Sequence, residues 1–189
     1  MHLEVHMTEA IKVWAEQTPN PQSRKFLVNL KIADGVHDFQ SSEDAGHSPL
    51  ASKLFGFPWM QSVFIGEDFI TITKQEWVDW AILEQPLCGL LKEHIESKEA
   101  VVLDKSANDE DMNDTDEVKI IKRVLAREIR PQVALDGGDV VFHKFENGIL
   151  QLRMLGACNG CPSSSQTLKL GIEVRMKEAV PSIKEVVAV

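Results

Sequence analysis

The 189 residues suffice for one large domain or two small ones, and 43% hydrophobic with 26% charged residues describes a chain able to bury packed cores. A net charge of −9 excludes the overall basic field that gathers nucleic acid or an anionic membrane, and no apolar run approaches the ~20 residues that span a bilayer. Three cysteines, an odd number, argue against a secreted disulfide scaffold and toward metal or redox chemistry.

Met1 to Thr8 is polar and without period. His2 and His6 lie four apart, but on such a terminus they read as solvated histidines rather than a metal pair. Met1 to Met7 shows neither a signal-peptide core nor an Arg-rich bias, so a cytoplasmic location is expected. Ile11, Val13 and Ala15 alternate with Lys12, Trp14 and Glu16 until Thr18-Pro19-Asn20-Pro21 breaks the run. Phe26 to Leu30 gives a second strand, and Asp34-Gly35 turns the chain before Val36 to Phe39. Ser48-Pro49 is a helix-start signal. Val63-Phe64-Ile65 and Phe69 to Thr73 flank a Gly66-Glu67-Asp68 turn and predict a β-hairpin. Trp77, Trp80, Leu87, Leu91 and Ile95 carry a helical period, and Pro86 inside it predicts a break or a bend.

Residues 9–99 therefore read as a first small domain. Residues 100–115 are expected to be a flexible acidic linker: seven acidic residues against one lysine between Asp104 and Glu117 leave little to bury. Residues 116–189 form the second domain. Val118, Ile121, Leu125 and Ile129 predict an amphipathic helix that Pro131 should stop. Asp136-Gly137-Gly138-Asp139 is a tight backbone feature, in which the two aspartates read as structural rather than as an acid–base pair. Val140 to Phe145 and Ile149 to Leu155, joined by Glu146-Asn147-Gly148, form a hairpin. A helix over Ser163–Val180, with Leu168, Ile172, Met176 and Val180 on one face, and a strand over Ile183–Val189 complete the unit. The predicted class is α+β: two small sandwich-like domains, the second a three-stranded sheet with two helices.

Between hairpin and helix lies Gly156-Ala157-Cys158-Asn159-Gly160-Cys161-Pro162-Ser163-Ser164, with two of the three cysteines. Ser163 and Gln166 have capping-box spacing, which would set the helix N-terminus against the thiolates. Three readings stay open on chemistry alone. Cys158 and Cys161 hold iron–sulfur or zinc, for which about four thiolates are usual, so that a second copy of the loop supplies the other two. They cycle as a thioredoxin-type dithiol, against which the unit's size and strand order argue. Or they are inert packing residues. Cys88, in an apolar neighbourhood, reads as a packed thiol, and His143 lies within a strand. No nucleophile–base pair, phosphate loop or dinucleotide fingerprint is present, so no enzymatic turnover is expected.

Gly137-Gly138-Asp139, the motif Gly156-x-Cys158-x-x-Cys161-Pro162-Ser163-Ser164, and Thr167-Leu168-Lys169-x-Gly171-Ile172-Glu173 together resemble the NifU-like C-terminal domain of Nfu-type iron–sulfur proteins. Thr18 to Pro21, Lys25-Phe26, Ser48 to Ala51, Leu54-Phe55, Val63-Phe64 and Phe69 to Lys74 resemble the Nfu N-terminal domain. The resemblance implies a carrier of a [4Fe–4S] cluster, ligated by Cys158 and Cys161 across a homodimer. It further implies upstream cluster donors and apo-protein clients, with no nucleic acid or membrane partner. A zinc-binding adaptor and a dithiol redox protein are the alternatives.

Overall fold

A computed structural model describes residues 10–103, 114–160 and 164–189, the side chains of 164–168 excepted. His2, His6, the acidic stretch 104–113, Cys161 and the proposed cap at Ser163 lie outside the described residues. The class is α+β, as expected, with one five-stranded and one three-stranded sheet.

The first unit contains β1 (Val13–Gln17), β2 (Ser23–Val28), β3 (His37–Phe39), α1 (Pro49–Leu54), β4 (Met60–Ile65), β5 (Phe69–Lys74) and α2 (Trp80–Glu96). The strands run β1-β2-β5-β4-β3, every pair antiparallel. Period-two alternation sends Phe26, Val28, Val63, Ile65, Ile70 and Ile72 to one face, where Leu83, Leu87 and Leu91 of α2 cover them. The opposite face is also shielded: Lys25, Phe64, Phe69 and Thr71 are buried. Ser48 caps α1 by accepting from the Ala51 amide at 3.0 Å.

Two helical expectations change. Trp77 precedes α2, which starts after the Asp79 cap and leaves that indole 68% exposed. Pro86 does not divide the helix. Trp80, Leu83, Leu87, Leu91 and His94 keep one buried stripe in phase across it, and this packing outweighs one missing N–H. Cys88 is half-buried beside the core, and burial pushes its thiol up from the ordinary value. Beyond α2 the chain stays with this unit: Val101 is buried and its carbonyl accepts from the Ser48 hydroxyl at 2.6 Å.

The second unit begins at α3 (Asp116–Val124), capped by Thr115. A π-helical turn over Leu125–Ile129 leads directly into α4 (Arg130–Leu135), so Pro131 does not stop the helix. The widened turn restarts the hydrogen-bond ladder, and Pro131 falls in the first turn of α4, where a missing N–H costs little. Then follow β6 (Gly138–Glu146), β7 (Ile149–Gly156), α5 (Ser164–Ala179) and β8 (Glu185–Ala188). Asn147 and Gly148 both take positive φ, the two-residue turn that suits a hairpin's twist. The sheet order is β6-β7-β8, and β8 pairs parallel to β7. Val118, Ile121, Leu125, Ile129, Ile172, Met176 and Val180 are buried, as their spacing predicts.

Candidate functional site

The cysteine loop leaves the end of β7, the middle strand of the second sheet, and leads to α5. Its base is a close cross-strand approach. Gly138 and Gly156 are partners in the ladder, and the Ala157 amide donates to the Gly137 carbonyl at 3.1 Å. A Cβ at Gly138 would stand 2.6 Å from Cys158 Sγ and 2.8 Å from the Leu155 carbonyl oxygen. The sulfur therefore lies against Gly138. Gly156 has φ +61°, and a Cβ there would meet Phe64 of the first unit at 2.9 Å. The glycines of this motif are thus required by contact at one site and by both contact and backbone sign at the other.

Cys158 is 6% exposed and belongs to the second core, while Asn159 and Gly160 are exposed. The loop's tip therefore faces solvent while this thiol turns inward. A thiol behaves as a small apolar group, and the missing side chain of Gly138 provides its space. The expected capping of α5 beside the sulfurs falls on residues outside those described.

Asp139 has the structural role that its glycine context suggests. It is 3% exposed, and its carboxylate takes Arg130 Nε at 2.9 Å and Nη2 at 2.7 Å while accepting from the Val140 amide at 2.8 Å. This fork ties the start of α4 to the start of β6, and the carboxylate beside it holds the Arg130 guanidinium above its usual range. Asp136 lies on the turn between them and makes no part of this pair.

The first unit also reaches the loop. Asn20 Nδ2 donates to the Ala157 carbonyl at 3.2 Å, and the Thr71 hydroxyl donates to the Gly137 carbonyl at 2.6 Å. Lys25 Nζ donates to the Ala134 carbonyl at 2.8 Å, in the last turn of α4, and lies 4.5 Å from the Phe69 ring centre. Burial lowers the Lys25 ammonium from its ordinary value, with Glu16, Asp68 and Asp136 opposing. In return the Gly156 backbone amide donates to Asp38 Oδ1 at 3.5 Å, and Asn159 Nδ2 donates to Gln40 Oε1 at 3.2 Å. Phe64, Phe69 and Leu155 form a small apolar core between the units. The available signal was in β5: Phe69-Ile70-Thr71-Ile72-Thr73 has large or branched residues at odd and even positions alike, which marks a strand covered on both faces.

Among the described residues, no three His, Cys, Asp or Glu side chains converge on one metal position, and no helix is long and apolar enough to cross a membrane. His143, in β6, stands apart from the loop.

Comparison with known proteins places these observations in a family. Residues 13–98 match the family described as "Scaffold protein Nfu/NifU N terminal", and residues 121–187 match "NifU-like domain". Curated relatives include the "NFU1 iron-sulfur cluster scaffold homolog, mitochondrial" of Drosophila ananassae, 38% identical over 92% of this chain and 63% of the relative. The protein of the same name from Drosophila erecta is 36% identical over 98% of this chain and 68% of the relative. The chain thus spans slightly under two thirds of the first of these. A solution structure of a NifU-like protein from Saccharomyces cerevisiae is 26% identical, with TM-score 0.46, over 56% of this chain and 97% of its own. The relatives' names overturn the expected cytoplasmic location, since both are called mitochondrial. Fold and net charge serve equally in either compartment, and the composition of seven terminal residues was too little to decide between them. The two matched regions and the relatives show that this chain belongs to the Nfu family of iron–sulfur cluster scaffold proteins.

Proposed function

We propose that the chain carries a [4Fe–4S] cluster as cargo, bound through Cys158 and Cys161 of each of two copies, and delivers it to apo-proteins. The observation that supports this most is a Cys-x-x-Cys pair on the connection from β7 to α5, inside the segment that matches the NifU-like domain. The cluster takes about four thiolates and one chain offers two here, so a second loop supplies the remainder. Each copy's cysteines act as ligands and leaving groups. An entering client thiolate replaces one cysteine sulfur at a time, which preserves the coordination number throughout. Each cysteine–iron bond given up on release is replaced by a client thiolate–iron bond, so the cargo is passed on by ligand exchange. In the mitochondrion, where its relatives are named, clients and donors would be other iron–sulfur proteins.

Anaerobic reconstitution tests this. Iron and sulfide should bind at about four of each per dimer, and the loaded form should elute larger than the apo form. Cys158→Ser and Cys161→Ser should each remain colourless, while Cys88→Ser should load normally. Zinc without sulfide would replace the cluster by a zinc adaptor. Unchanged size on loading would remove the shared site.

A further inference from the structure

The first unit's polar reach into the second is concentrated on the thiol's surroundings. Its donors go to backbone carbonyls: Lys25 to Ala134, Thr71 to Gly137 and Asn20 to Ala157. These carbonyls flank the Gly138–Gly156 pair against which Cys158 Sγ rests. The three donor residues are 7%, 1% and 4% exposed, so each would leave a buried polar group unmatched if the contact were lost without water entering. Phe64 seals the same spot by lying over Gly156. Loop residues 156, 157 and 159 are therefore each held by the first unit, on both sides of Cys158.

That grip has a chemical consequence. A cluster shared by two copies needs sulfurs that converge outside each subunit, whereas Cys158 is enclosed and directed at Gly138. We propose that the first unit is a clamp on the cysteine loop: Asn20, Lys25 and Thr71 are positioning residues that keep Cys158 sheltered, and cargo is received when the clamp releases. The sheltering follows from the contacts; the link to cargo rests on the function proposed above. Clamped, the thiol is kept from solvent oxidants. Released, the loop is free to bring its sulfur to a second copy.

The test uses the full chain, reduced and cluster-free, with Cys88→Ser and Cys161→Ser so that Cys158 is the single thiol. Alkylation by iodoacetamide is followed by mass. Asn20→Asp keeps the oxygen that accepts from the Gln22 amide but removes the donor to Ala157. Thr71→Val keeps the shape and removes the hydroxyl. Each should speed alkylation about tenfold, the effect of one buried hydrogen bond, ~1.4 kcal/mol in the clamped–released equilibrium. Thr71→Ser, which restores a hydroxyl, should return the rate toward that of the parent. Tryptophan fluorescence verifies that the first unit stays folded. Parent-like rates in both folded variants would overturn the clamp. The same substitutions with all cysteines retained are then offered iron and sulfide. Faster alkylation with no uptake by any protein would leave the clamp standing and remove the cluster reading; unchanged alkylation with normal uptake would do the reverse.

Discussion

Replacing Asp139 by alanine should destabilise the second unit selectively. The carboxylate is 3% exposed and takes a two-pronged contact from Arg130, so the substitution strands a guanidinium and frees the Val140 amide. Breaking a buried pair from one side costs ~3–5 kcal/mol. The Arg130 side chain is 39% exposed, however, and water can reach it, which reduces the expected loss to ~2–3 kcal/mol. Urea unfolding can separate the units because all four tryptophans, Trp14, Trp59, Trp77 and Trp80, lie in the first one. Far-UV dichroism reports both. With a slope of ~1 kcal/mol per molar urea for so small a unit, its dichroism transition should move down by ~2 M, and the fluorescence transition should move much less. The double variant Arg130→Ala/Asp139→Ala should be less damaged than the sum of the single changes. Additive effects, or a loss under ~0.5 kcal/mol for Asp139→Ala, would refute the assignment of this pair as the tie between α4 and β6.

Other perturbations separate the remaining claims. Burial, opposed by hydrogen bonds from Gln40 and the Gly156 amide, raises the Asp38 carboxyl above its usual value. The folded state therefore holds this proton more tightly than the unfolded state, so Asp38's contribution becomes more favourable as pH falls through its folded pKa toward 3.8. Asp38→Asn should remove that contribution, seen as a flatter dependence of the urea midpoint on pH; an identical profile would rule it out. Pro86→Ala should add ~1–3 kcal/mol, because Pro86 is exposed and the helix already continues through it. A lower thermal midpoint would contradict this. Met176→Ala, at a fully buried site, should cost ~2–4 kcal/mol by urea titration.

Local chemistry made much of the fold readable. Alternation located the β4–β5 hairpin, Ser48-Pro49 located α1, and Asn147-Gly148 located the turn between β6 and β7. Prolines were the weak signals. Pro86 and Pro131 each ask for a break, and each is overruled, one by an in-phase buried stripe and the other by a π turn that relocates the missing donor. Neither compensation can be seen from the proline itself. The cysteine motif was equally plain, but the direction of the Cys158 sulfur was not. It depends on a glycine 20 residues earlier, and the Asn20–Ala157 contact spans 137 residues. Pairings this distant leave no periodic trace in either segment.

The parallel pairing of β8 with β7 sets a timetable for a newly made chain. Ile149 must wait for Glu185, so the crossover that contains the cysteine motif can close only after the last strand has emerged from the ribosome. Until then β7 has an open edge, and both sulfurs lie on an unfinished connection. On the function proposed above, iron arriving at that moment would meet a site without its scaffold, so loading would follow closure of the crossover.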